Sequence, residues 1–319
     1  MNITIAKNNN EQCIAYANKG QNIFILYEDM NKLAYRSNSL IIDSSQKGIN
    51  DILTDNFGYK TPYKNININI GTINKFIWKP GLHDDLQDAL DYSEYEKNIA
   101  KRDIKILLEK IQDILAYIEP SSQSLQAYGY KLRELLILAC TEVENILKFY
   151  TPNPTGKMLN TSDYIQIMQK VALNKYNISF IDCVNKYSCK PFENWNSSAP
   201  TQSIQWYHAY NKVKHDKANN INQATLENCL NAVAAVIIMF CIRYSPYVLY
   251  RETDSCSAVF KNSIEIGMEN MTLDDIYIPI LSGEKTYSGA IYASHKFPNN
   301  TVISDIMDKI ILNQWIKIQ

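Results

Sequence analysis

Within the stretch 206-WYHAYNKVKHDK-217 the chain sets a tryptophan, two tyrosines, an asparagine, two histidines and three lysines. Imidazole accepts and donates protons near neutral pH. Amide and ammonium groups hold phosphate oxygens and offset charge as it develops. Together these are the minimum equipment for metal-free RNA cleavage, in which a 2′-hydroxyl attacks its own phosphate. On a helix, Tyr207 and Asn211 are four residues apart, as are Asn211 and His215, so the three share a face flanked by Lys214. Trp206, Tyr210 and Val213 form a neighbouring apolar stripe. In this chemistry His215 is the candidate acid–base, Asn211 orients the phosphate and Lys214 stabilises charge. Lys212, Tyr207 and Lys217 are candidate binding residues around them.

A second constellation lies in 133-RELLILACTEVE-144. Arg133 is a candidate phosphate-binding cation, and Glu142 and Glu144 are candidates to orient His215 or pair with Lys214. Both constellations also have a purely structural account. Cations at the end of a helix are favoured by its macrodipole, by roughly 0.3–1 kcal/mol each. Charged residues along a helix edge commonly form surface pairs worth little.

Other chemistries are not signalled. The chain has no GxGxxG or GxxxxGK[ST] phosphate loop, no HExxH, no GxSxG and no EF-hand loop. Its seven cysteines are odd in number and include no CxxC pair, which predicts neither a zinc site nor a disulfide framework. No metal and no cofactor are expected. The 32 basic and 33 acidic residues nearly cancel, so any attraction to nucleic acid must come from a local patch. The N-terminal MNITIAKNNNEQC lacks a signal pattern, and the apolar run 232-AVAAVIIMFCI-242 is short for a bilayer, which predicts a cytoplasmic protein with no membrane partner.

The elements that must position these residues follow from periodicity. Short β-branched and aromatic runs at 2–6, 13–17, 22–27, 39–43 and 66–73 predict a small antiparallel sheet. Helical spacing predicts a helix over 93–118, with Ile99, Ile104, Leu107, Leu108, Ile111, Ile114 and Leu115 inward. A second is expected over 124–150 and a third over the WYHAYNKVKHDK stretch. A fourth, 223–244, is apolar on most sides and therefore the most buried. Between the second and third, residues 151–200 read as a loop-rich insertion with one short helix over 162–173. Strands are expected at 258–268, 276–281 and 290–294, and a last helix at 302–315. The fold class is α+β, mainly α: a central antiparallel four-helix bundle over 91–248, between β-rich regions at 1–90 and 249–319.

Two blocks carry a resemblance. RELLILACTEVE, and WYHAYNKVKHDK with the preceding PF-x-x-W segment (Pro191, Phe192, Trp195) and the following ATLENCLNAVAA, are similar to a family of uncharacterised bacterial proteins across about residues 120–245. More distantly, the helical pattern resembles the HEPN superfamily. That resemblance implies a homodimer with a shared cleft, a metal-independent ribonuclease acting in bacterial defence or stress response, and an operon-encoded protein partner. The superfamily's motif is an arginine, a polar residue and a histidine a few positions on. Asn211 and His215 match, but Tyr210 stands where the arginine is expected. A phenol cannot replace a planar, bidentate guanidinium. A non-catalytic module that dimerises and binds a protein partner or small effector is therefore the alternative.

Overall fold

The computed structural model describes residues 2–7, 13–19, 22–29, 34–43, 64–67, 76–79, 90–151, 154, 156, 158–251, 253–269, 275 and 291–293. The sequence-based strand at 276–281 and helix at 302–315 lie outside these residues. The described part is α+β and mainly α, with two compact units.

One unit comprises residues 1–75, 79–89 and 268–319. Its described strands are β1 (Asn2–Lys7), β2 (Cys13–Lys19), β3 (Asn22–Asp29), β4 (Ala34–Asp43), β5 (Lys64–Asn67) and β9 (Ile291–Ala293). They form an antiparallel sheet in the order β5-β1-β2-β3-β4-β9. Ile3 pairs with Ala17 and Tyr16 with Ile25, so consecutive β-branched runs zip into a meander. The register shifts between Ile25 and Tyr27 where β3 meets β4, and Ser37 of β4 pairs with Ala293 of β9.

The other unit comprises residues 76–78 and 90–267. Its first helix, α1 (Glu94–Leu115), starts with a reciprocal capping box: Ser93 N–H donates to Glu96 and Glu96 N–H donates to Ser93 Oγ. Ile104, Leu107, Leu108, Ile111, Ile114 and Leu115 are buried, whereas Ile99 is 46% exposed and leaves the expected inward set. The second helix, α2 (Tyr130–Tyr150), begins six residues later than periodicity predicts. Ser124–Gln126 form a short 3₁₀ turn, and Ala127 then extends so that its carbonyl accepts from Leu226 N–H. Tyr128 bridges Thr225 in antiparallel fashion. That short pairing consumes backbone groups a longer helix would have used.

The stretch 151–200 is more ordered than its composition suggests. Asn160 and Asp163 cap α3 (Thr161–Val171), which stops at the left-handed Ala172. Two strands follow, β6 (Tyr176–Phe180) and β7 (Tyr187–Cys189), paired antiparallel. Then come α4 (Gln205–His215), α5 (Lys217–Asn220), α6 (Leu226–Tyr244) and α7 (Tyr247–Arg251). The expected strand at 258–268 is corrected: its first half belongs to α8 (Ser255–Ser263), and only Ile264–Met268 is strand, β8. The physical reason is the Asp254 cap, whose carboxylate accepts from Cys256 and Ser257 N–H and nucleates the helix. The strand β8 joins the small sheet in the order β7-β6-β8.

Helix α6 packs against α1, α2 and α4, and α2 also packs against α1 and α4. By length and composition α6 could cross a membrane, but nearly its whole surface is buried inside this unit. Cys140, Cys229 and Cys241 lie in this interior as small hydrophobes. At its far end α6 carries Arg243, 4% exposed. Its Nη1 donates to Leu90 O at 2.8 Å and Nη2 to Asp91 O at 3.2 Å. The guanidinium carbon lies 4.7 Å from the Phe149 ring centroid and 5.1 Å from that of Tyr244. With Trp78 N–H donating to Ile242 O at 2.7 Å, these bonds pin both the 76–78 and the 90–92 segments onto the end of α6.

Candidate functional site

Helix α4 has two sharply different sides. Trp206, Tyr207, Ala209, Tyr210 and Val213 are buried; His208 and Asn211 are half-buried; Lys212, Lys214 and His215 are exposed. The inward side is held by specific contacts. Trp206 Nε1 donates to Pro191 O at 2.8 Å, and its ring meets that of Phe192 edge-on at 5.8 Å. Trp195 Nε1 donates to Pro200 O at 2.9 Å. The PF-x-x-W segment is thus a cradle for the first turn of α4.

Tyr207, placed above among the candidate binding residues, is 6% exposed, and its hydroxyl donates to Glu144 Oε1 at 2.7 Å. Burial, reinforced by that bond, raises the Tyr207 phenol far above its ordinary range. Tyr210 is 1% exposed and belongs to the core. Its hydroxyl accepts from Lys214 Nζ at 2.9 Å. That hydrogen bond is the main reason the Lys214 ammonium is held above its usual value, with Glu144 adding to it. Lys214 therefore stays cationic near neutral pH.

The two carboxylates named beside this site separate. Glu144 faces α4, bonded to Tyr207 and with Lys148 Nζ 3.9 Å away. Glu142 lies on the α1 side of α2, its carboxyl raised first by burial and then by Asp103. Their two-residue offset sends them to different sides of the helix. Glu134 also turns to α1, accepting from Lys110 Nζ at 2.6 Å.

Past His215, Asp216 closes α4 and caps α5 by accepting from Asn219 N–H at 3.3 Å. The cap delivers Lys217, whose Nζ sits 4.9 Å from the centroid of the exposed Tyr130 ring. Lys214 and Lys217 thus rest on a phenol and an aromatic ring, leaving their charge available to an anion. His208, one turn before Lys212, has its imidazole lowered below the ordinary value by burial and then by Lys212.

The Tyr207–Glu144 and Lys217–Tyr130 contacts run in opposite senses, so α2 and α4 are antiparallel. Arg133 lies on α2 at the Lys217 end. Its Nε is buried and has no hydrogen-bond partner among the described residues. Spacing alone contained this relationship: Arg133, Ile137, Cys140 and Glu144 recur at i, i+4, i+7 and i+11. Among the described residues no three His, Cys, Asp or Glu side chains are grouped to hold a metal ion.

Fold and site together describe an α+β chain, mainly α, that presents a cationic helix end carrying one exposed histidine. The chain matches no protein-family model, no curated protein and no solved structure.

Proposed function

We propose that this chain is a cytoplasmic HEPN-like protein whose α1, α2, α4 and α6 form a four-helix core and whose α4 end engages RNA. The observation that carries this reading is the sidedness of α4. Every large apolar or aromatic residue turns inward, while Lys212, Lys214, His215 and Lys217 are exposed together at its end. Clustered cations beside exposed polar groups suit a phosphodiester backbone, and with a balanced net charge the attraction must come from a local patch such as this one.

In the catalytic form, His215 takes the proton of a 2′-hydroxyl as that oxygen attacks the adjacent phosphorus. The bond to the 5′-oxygen breaks, leaving a 2′,3′-cyclic phosphate and a 5′-hydroxyl. The leaving oxygen takes its proton from solvent or a second imidazole across a dimer. Asn211 and Lys214 hold the phosphate. Purified protein and its His215→Ala variant, incubated with single-stranded RNA and chelator, test this. Cyclic-phosphate ends that depend on His215 support it, whereas equal cleavage by a folded variant removes His215 from the mechanism.

One observation favours a second reading. Tyr210 is core and its hydroxyl is bonded to Lys214, so α4 itself offers no guanidinium to a transition state. In that reading the domain binds without cleaving, as a dimerising module for a protein partner or small effector. RNA bound but left intact, or no RNA bound at all, would favour it.

A further inference from the structure

Resting on the RNA-cleavage reading above, we propose that His208 is a second catalytic residue, the acid that protonates the leaving 5′-oxygen while His215 takes the 2′-hydroxyl proton. Both imidazoles then come from one helix, and neither solvent nor a second copy has to supply that proton. Three observations support it. The first is phase. His208 and His215 are seven residues apart in α4 (Gln205–His215), which brings them back to within about 20° of each other around the axis. Helical bonding is continuous beneath both, from His208 N–H to Ile204 O at 2.9 Å through Asp216 N–H to Lys212 O at 2.9 Å. Trp206, Tyr210 and Val213 take the opposite, buried side.

The second is span. Seven residues rise about 10.5 Å along a helix. In-line displacement puts the attacking and leaving oxygens on opposite sides of phosphorus. Two imidazoles that each reach one of those oxygens at hydrogen-bond distance stand about 9–10 Å apart. The rise from His208 to His215 fits that requirement. Asn211 lies between them, three residues after His208 and four before His215, placed for its amide to meet a non-bridging phosphate oxygen. Lys212 and Lys214 flank the row with positive charge.

The third is that these groups are free to act. His208 and Asn211 are half-buried and His215 is exposed. Among the described residues no hydrogen bond or ion pair occupies any of the three side chains. Burial, then Lys212, lowers His208 below its ordinary value of 6.5, which makes its imidazolium the stronger proton donor. In the step, the 2′-oxygen bonds to phosphorus and passes its proton to neutral His215. The bond to the 5′-oxygen breaks, and that oxygen takes a proton from the His208 imidazolium. His208 ends neutral and His215 ends protonated, and exchange with water restores both.

The test uses the full chain at about pH 6, within the imidazole range, and two single-stranded oligonucleotides that each carry one ribonucleotide. One has the ordinary 5′-oxygen at the scissile linkage, and the other has sulfur in its place. A thiolate leaves without a proton, so the sulfur substrate needs no acid. His208→Ala and His208→Gln should cleave the oxygen substrate about 100-fold more slowly than wild type. Both should cleave the sulfur substrate at the wild-type rate. His215→Ala should lose both reactions, because the 2′-hydroxyl must still give up its proton. Wild-type cleavage of the oxygen substrate by both His208 variants overturns the assignment and leaves the cleavage reading standing on His215. An equal loss on both substrates also overturns it, and makes His208 a binding or structural residue. Wild type that cleaves neither substrate overturns the cleavage reading itself, and the His208 acid falls with it.

Discussion

The hydroxyl of Tyr207 in α4 donates to Glu144 Oε1 in α2 at 2.7 Å, joining the two helices at one end of their shared seam. Glu144 is only 15% exposed in its side chain, so the bond is made largely out of water. Tyr207→Phe should therefore lower unfolding free energy by about 1.5–3 kcal/mol, the usual worth of a hydrogen bond to a charged group. Urea denaturation followed by tryptophan emission measures it, with Trp206 adjacent as reporter. Because Tyr207 faces inward, RNA affinity of the folded variant should match wild type.

An arginine at position 210 should not be accommodated. Tyr210 is 1% exposed, packed against the Tyr207 ring at 5.6 Å, and accepts the Lys214 hydrogen bond. Tyr210→Arg places a cation in that interior beside another cation. The expected result is destabilisation by about 3 kcal/mol or more and no gain of RNA cleavage. A folded Tyr210→Arg protein that cleaves faster would show that α4 can turn to present this position.

Gly267 in β8 lies against the Asn177 side chain, which must shift before a Cβ can fit. A Cβ there would come within 2.6 Å of Asn177 Oδ1 on the neighbouring strand β6. Gly267→Ala should cost roughly 1–3 kcal/mol, as overpacked positions do. A second substitution, Asn177→Ala, should return part of that loss. A thermal-melt double-mutant cycle reads the coupling, and strictly additive effects would mean the contact is not the cause.

Asp103 of α1 and Glu142 of α2 are both half-buried, and both carboxyls are raised above their ordinary values of 3.8 and 4.5. Burial is the larger cause for each; Asp103 adds to the shift on Glu142, while Arg102 and Asn145 oppose. A raised carboxyl binds its proton more tightly in the folded state. Its contribution is therefore complete below the ordinary carboxyl range and is lost as pH rises through the folded-state value. Glu142→Gln should raise the melting temperature at pH 7, with a smaller gain at pH 4, below the ordinary value of 4.5. A variant with the wild-type pH profile would place the dependence elsewhere.

Much of the helical unit was legible in the sequence because its signals are local. Ser93 and Glu96 announce the start of α1 by their own spacing, and the apolar rows of α1, α2 and α6 follow the helical period. The division of α4 into packed Trp206, Tyr210 and Val213 and exposed Lys214 and His215 is likewise written in its repeat. What the sequence could not contain is which neighbour each side would meet. The two-residue offset of Glu142 and Glu144 puts them on different sides of α2, but only packing gives one to Asp103 and the other to Tyr207. The strands β6, β7 and β8 are short; β6 and β7 pair locally, but β8 joins them from far along the chain, and no local period marks that pairing. Arg133 shares the Glu144 edge of α2 by its own spacing, but that this edge meets α4 is known only from the Tyr207–Glu144 contact. Periodicity fixes the side of an element; the choice of partner for that side is a property of the whole packed core.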